Sequence, residues 1–173
     1  MKVVSKIYNY AEVLVRRAEI GEVEQVRAII KEAYAGVKRK LSREPGALRE
    51  GLDKIARHIQ MGNVYVAVIG GQIVGTMRVV LHGQVGIISR VAVKKAYRGR
   101  RIGTALVEYA ENLLVHMNAQ AIEIEVYGAI EEQREFYVRL GYEEVGRHER
   151  EGEEIVVMRK ELIEEEGQEE EPL

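Results

Sequence analysis

Val91 to Leu106, VAVKKAYRGRRIGTAL, decides how the rest of this chain is read. An apolar alternating run gives way to a basic turn holding two glycines, and the turn opens into a helical pattern. N–H groups at a helix start lack intrahelical acceptors and sit at the positive end of the helix dipole, so such a start attracts anions. Gly99 and Gly103 remove side chains where backbone would approach a bulky phosphate, and Lys94, Lys95, Arg98, Arg100 and Arg101 add whole charges around them. The stretch reads as a pyrophosphate cradle. A solvated basic connection between a strand and a helix is the plainer alternative.

Downstream of the turn, Ile102, Ala105, Leu106, Tyr109, Ala110, Leu113, Leu114 and Met117 recur at helical spacing. They predict a helix from Arg100 onward, the longest in the chain, seated firmly on a sheet. AIEIEVY follows as an alternating strand, and the intervening helix lets it lie parallel to the strand before the turn through a right-handed crossover. A shorter helix is expected from Gly128 to Leu140 with Gly141 as its cap, then a hairpin of YEEVGRHE and EEIVVMRKEL around Glu151 and Gly152.

Upstream, VLVR at Val13 to Arg16 predicts a first strand. An amphipathic helix follows with Val23, Val26, Ile29, Ile30 and Ala33 on one stripe. Gly36, Pro45 and Gly46 are expected to break that periodicity and leave a basic loop. A second helix is predicted over ALREGLDKIARHIQMG, burying Leu48, Leu52, Ile55, Ala56 and Ile59. NVYVAVI and QIVGTMRVVLH flank Gly70-Gly71 as an antiparallel hairpin, and VGIISRVAV adds a third strand that delivers the chain to the basic turn. No Lys-Ser/Thr pair follows Gly75, so Gly70 to Gly75 is a hairpin rather than a phosphate loop.

The 173 residues suit one domain, and an apolar content of 46% suffices for one core. The absence of cysteine excludes a disulfide framework, a thiolate nucleophile and Cys-based zinc sites. His58, His82, His116 and His148 show no paired metal spacing, so no metal is expected. With no signal-like opening and no apolar run long enough to span a bilayer, a soluble cytoplasmic protein is expected, with no membrane partner. The net charge of -2 is unevenly spread: seven of the 28 acidic residues fall at or after Glu161, leaving 26 basic against 21 acidic side chains before it. A mildly basic body suits a small polyanion better than duplex nucleic acid. The expected organisation is an N-terminal extension at 1–12, a single domain at 13–162 and an acidic, disordered tail at 163–173.

The run from Arg98 to Gly103 resembles the acetyl-CoA signature of the GNAT acetyltransferase superfamily, Arg/Gln-x-x-Gly-x-Gly/Ala after a hydrophobic-x-Val strand end. Arg98 and Gly103 match, and Arg101 stands where the family usually has glycine. EFYVRLGYEEVG is similar to the family's second signature, Phe-Tyr-x-x-x-Gly-Phe, through Phe136, Tyr137, Gly141 and Tyr142. The order of predicted elements from about Val13 to Leu162 also matches. The resemblance implies a GNAT fold, an α/β (α+β) arrangement in which a mixed central sheet with splayed parallel strands is flanked by about four helices.

It further implies that acetyl-CoA binds as acetyl donor, with CoA as product. Its pantetheine arm would pair along Val91, Ala92 and Val93, and its diphosphate would rest on Arg98, Gly99, Arg100, Arg101, Ile102, Gly103 and Thr104. An amide on the splayed edge would polarise the acetyl carbonyl. Tyr137 is the catalytic residue by this match, protonating the departing thiolate; a core aromatic is its plainer reading. The upstream Asn and Ala of the family correspond to Ile130 and Gln133, and the Glu often used as base corresponds to Ile87. Glu123, Glu125, His82, His148 or a water chain are the substitutes.

The implied activity is acetyl transfer to a primary amine, whether a protein N-terminus, a lysine or a small molecule, by direct attack in a ternary complex. A catalytically weak CoA-binding sensor or scaffold is the alternative. A nucleic-acid module using Lys38, Arg39, Lys40 and Arg43 with the turn ranks last, for want of base-stacking aromatics. The basic loop from Tyr34 to Ala47 hints at an acidic or carboxylate-bearing acceptor, and a homodimer is left open.

Overall fold

A computed structural model describes residues 6–8 and 11–162. The acidic tail expected at 163–173 lies outside the described residues. Within the expected N-terminal extension, β1 (Lys6–Tyr8) pairs antiparallel with β2 (Ala11–Arg17), so the strand read at Val13 begins two residues earlier and has a partner. Then follow α1 (Val23–Lys38), α2 (Leu52–Gln60), β3 (Val64–Ile69), β4 (Gln72–His82), β5 (Val85–Val93), α3 (Ile102–His116), β6 (Ala121–Tyr127), α4 (Glu131–Arg139), β7 (Glu143–Arg150) and β8 (Glu153–Glu161). The strands form one mixed sheet in the order β1-β2-β3-β4-β5-β6-β8-β7, in which only β5 and β6 run parallel. This is the α/β arrangement with four flanking α-helices that the sequence implied.

Local chemistry explains the framework. Gly70 and Gly71 both take positive φ, +57° and +81°, as the tight turn between β3 and β4 requires, because that turn matches the twist of the strands it joins. Helix α3 buries Leu106, Ala110 and Leu114 against one face of the sheet, where Met77, Ile88 and Ile122 await them. Helices α1 and α2 bury Ile29, Ile30 and Ile55 on the other face against Val64, Val66 and Ala92. Two cores back to back hold the sheet from both sides.

Four local expectations are corrected. Helix α1 runs through Gly36 to Lys38 and has 16 residues to the 15 of α3, because an apolar stripe fixed by packing outweighs one glycine. The second predicted helix is split: Gly46–Arg49 is a 3₁₀ turn, Glu50 is extended, and α2 starts after Gly51. Its Ile55 and Ile59 are buried while Leu48, Leu52 and Ala56 are half-buried, since the chain turns at Glu50 to bring that carboxylate inward. Helix α4 begins at Glu131, not Gly128, because the Gly128 N–H still pairs with the Glu154 carbonyl at 2.8 Å. Met117, expected on the buried face of α3, is 44% exposed beyond the helix end.

Candidate active site

Strands β5 and β6 pair from Val85 opposite Ala121 to Ile88 opposite Ile124, and there the pairing stops. Each then follows its other neighbour. Ala92 and Val93 stay with Thr76 and Gly75 of β4, while Val126 and Tyr127 stay with Val156 and Ile155 of β8. A bulge in β5 assists the parting: register shifts between Thr76 and Arg78, and Arg90 takes φ +54°. The sheet opens into a V-shaped cleft of about 910 Å³.

The basic turn closes one end. A 3₁₀ turn at Lys95–Tyr97 is anchored to α1 by the Lys95 N–H, which donates to Glu32 Oε1 at 2.9 Å. The Arg98 Nε donates to the Val93 carbonyl at 3.2 Å, and the Arg100 guanidinium stacks over the Tyr97 ring at 5.0 Å. Gly99 has φ +81° and Arg101 has φ +62°, so Arg101 adopts the left-handed conformation that glycine ordinarily supplies. No side chain caps α3. Among the described residues, no carbonyl or side chain accepts from the N–H groups of Gly99 through Thr104. This row of free donors at a helix start, ringed by arginine, fits a diphosphate.

Of the residues singled out in the sequence, Val91, Ala92, Val93, Arg98, Gly103 and Tyr137 line the one cleft. Gly99, Arg100, Arg101, Ile102 and Thr104 do not line it; they form the turn and helix opening beside it. Ile102 is buried in the core, so only its N–H is available to a ligand. Ala92 likewise packs its methyl under α1 and α2, which leaves backbone as the pairing surface.

Tyr137 stands on α4, 6% exposed, edge-on to Phe136 and Tyr142 at centroid distances of 4.9 and 5.7 Å. The ring is core, as the plainer reading has it, and the residue also lines the cleft. Burial pushes its phenol well above the ordinary value, so it stays protonated through the neutral and mildly alkaline range. Its hydroxyl has no hydrogen-bond partner among the described residues. Gln133, at the place of the family's Ala, accepts the Tyr127 N–H at 3.1 Å and so fastens the end of β6 to α4.

The proton-accepting candidates separate by position. Ile87 lines the cleft directly opposite Glu123, whose carboxylate is held by Arg159 at 2.7 Å at the closed end of the V. Glu125 lies one step past the last paired residue, in the open part, gripped by both Nη atoms of Arg150 at 2.9 and 3.0 Å with His148 at 3.8 Å. His82 ends β4 opposite Val85 and does not line the cleft.

The sequence reading missed a buried ionic cluster on the α1 and α2 side. The Glu50 carboxylate, 4% exposed, receives Arg78 at 3.0 and 2.9 Å and Arg90 Nη2 at 3.0 Å, with Lys54 at 3.5 Å. Burial alone would raise its pKa, but the two guanidinium groups outweigh that and hold it at about 2. It missed Tyr34 and Tyr127 too, which line the same side of the cleft as Arg90. Single charged or aromatic residues in α1, β4, β5 and β6 carry no spacing signal that would have flagged them.

The parted parallel strand pair ends beside an uncapped helix start, so a long cleft with unpaired strand edges leads to an anion-binding turn. Comparison with known proteins agrees. Residues 60–144 match the model of the GNAT acetyltransferase domain, about half of the chain. An uncharacterized N-acetyltransferase of Methanocaldococcus jannaschii is 36% identical over 100 residues, which span 56% of this chain and 64% of that relative. The ribosomal-protein-S18-alanine N-acetyltransferase of Escherichia coli superposes with a TM-score of 0.74 at 13% identity, covering 91% of this chain and 99% of that one. A Mycobacterium tuberculosis protein crystallised in complex with CoA has a TM-score of 0.62 at 26% identity, over 77% of this chain and 73% of its own. The chain has the GNAT fold. Among the described residues no helix is long and apolar enough to cross a membrane.

Proposed function

We propose that this chain is an acetyl-CoA-dependent N-acetyltransferase acting on a primary amine by direct attack in a ternary complex. The observation that carries the reading is the parting of β5 from β6 after Ile88 and Ile124, with Tyr137 lining the gap and six free N–H groups beside its mouth. Acetyl-CoA supplies the activated acyl carbon and the thiolate leaving group. The chain supplies the rest. Amides from Gly99 to Thr104, with Arg98, Arg100 and Arg101, hold the diphosphate, and the open edge of β5 at Val91 to Val93 aligns the arm as an added strand. An amide on that edge polarises the acetyl oxygen as the new C–N bond forms. The Tyr137 hydroxyl, protonated and without a protein partner, donates to the sulfur as the C–S bond breaks.

Glu125 is the carboxylate best placed to draw the proton from the incoming ammonium, directly or through water. Two hydrogen bonds from Arg150 keep it oriented. Isothermal titration with acetyl-CoA, followed by thiol release over a broad amine panel, tests the reading. Binding without turnover on any amine would favour the scaffold alternative, which has the apolar Ile87 in its support. No binding would reject both.

A further inference from the structure

The basic loop after α1 spends part of the charge that its sequence suggested. Lys40 is paired with Glu132 at 2.9 Å, the backbone N–H groups of Ser42 and Arg43 donate to Glu153, and just past the loop Arg49 is paired with Glu151 at 3.1 Å. These contacts tie the loop to α4 and to the β7–β8 hairpin. Positive charge inside the cleft wall lies deeper.

Within the buried cluster one carboxylate, Glu50, faces two guanidinium groups, and Lys54 stands beside it as a third cation. Arg78 directs both Nη atoms at Glu50 and is 8% exposed, so it has nothing to offer a ligand. Arg90 uses only Nη2. Its Nη1 has no partner among the described residues, its Nε is buried and unpartnered, and its side chain is 27% exposed in the cleft wall. It sits at the bulge itself, one residue before the strand edge assigned to the thioester arm, with φ in the left-handed region. Tyr34 and Tyr127 line the cleft near it, and neither hydroxyl has a hydrogen-bond partner among the described residues. Burial pushes both phenols up, and the Arg90 charge draws both down.

We infer that the acceptor amine carries a carboxylate, received by the free Nη1 of the Arg90 guanidinium and by the hydroxyls of Tyr34 and Tyr127. This rests on the acetyltransferase reading and narrows its substrate class to amino acids and acidic peptides. A guanidinium N–H matches a carboxylate oxygen in charge and geometry.

The test compares acid and amide forms of the same amine: glycine with glycinamide, β-alanine with β-alaninamide, and an acidic with a neutral tripeptide. The amides have the less basic amines, so nucleophilicity at neutral pH works against the expected result. For at least one pair, kcat/KM for the acid exceeds that for the neutral form by about tenfold, the size of a charge-assisted hydrogen bond pair. That ratio falls to about one in Arg90→Gln, mainly through KM. Because Arg90 also braces Glu50, Arg90→Lys, which keeps a charge beside Glu50 but loses the fork, and Tyr34→Phe, which removes one hydroxyl, are measured with their melting curves. Both lower the ratio while remaining folded.

Acids no better than amides across the panel, or a preference that survives Arg90→Gln, overturns the inference and leaves the enzyme reading standing. If no amine is acetylated, the enzyme reading falls by itself, and titration of glutarate into the protein with and without CoA decides the carboxylate site. Saturable binding lost in Arg90→Lys sustains it. No binding to the wild type overturns it.

Discussion

Glu50 and Arg90, 40 residues apart, meet at 3.0 Å across the α1 and α2 side of the sheet, and the arginine reaches the carboxylate from a backbone position with φ +54°. A residue without glycine's freedom is thereby held in a sparsely populated conformation at the point where β5 leaves β6. The ion pair and the opening of the cleft are one structural feature.

Removing that carboxylate strands the buried Arg78 guanidinium and the half-buried Arg90. Glu50→Gln is expected to cost about 3–5 kcal/mol, the range for breaking one partner of a buried pair, measured by urea unfolding. The sign with pH follows from the lowered pKa. The carboxylate is ionised in both folded and unfolded chains above the ordinary value near 4.5, so its stabilisation is complete there and is lost as pH falls toward about 2. The melting temperature of wild type should therefore decline between those pH values more steeply than that of Glu50→Gln.

Arg101 carries φ +62° where a glycine would be unstrained. Arg101→Gly relieves the left-handed conformation but frees the unfolded chain, so stability should stay within about 1 kcal/mol of wild type. Arg101→Val, branched at Cβ, should lose about 1–3 kcal/mol and weaken CoA binding by misplacing the N–H groups around it. Thermal melts with and without CoA separate the two effects. Equal behaviour of the two variants would show that this backbone conformation does not matter to the cradle.

Tyr137→Phe keeps the ring packing and removes one hydroxyl. Turnover should fall by about 10²-fold or more, with KM for acetyl-CoA changed little. Because burial holds the phenol well above its usual value, the wild-type rate should show no loss assignable to Tyr137 ionisation up to about pH 10. An unchanged kcat in the variant removes Tyr137 from the chemistry.

Gly75 of β4 has tight surroundings. A Cβ there would stand 3.2 Å from the Ala92 carbonyl oxygen and 3.3 Å from Leu106 Cδ1. Gly75→Ala needs these neighbours to give by a few tenths of an ångström, and because one of them is backbone of β5 at the edge assigned to the cofactor arm, it should lower stability by about 1 kcal/mol and also weaken CoA binding. Gly36→Ala, where nothing lies within 4 Å, provides the control and should be neutral or slightly stabilising.

Local patterns in the sequence determined much of this molecule. Gly70-Gly71 between alternating runs fixed the β3–β4 turn, the spacing of Leu106, Ala110 and Leu114 fixed the buried face of α3, and Arg98 to Gly103 marked the basic turn that opens α3. Each of these depends on neighbours within a few turns of chain, which is why it can be read from residue order. Where β5 and β6 part, why Glu50 turns inward to split a helix, and which arginine keeps a free edge depend on pairings between residues 28 to 40 apart or more. Only the folded sheet decided these: a charge is spent or left over according to what lies beside it in space, and Lys40, conspicuous in the sequence, is spent on Glu132, whereas Arg90 keeps Nη1 free among the described residues.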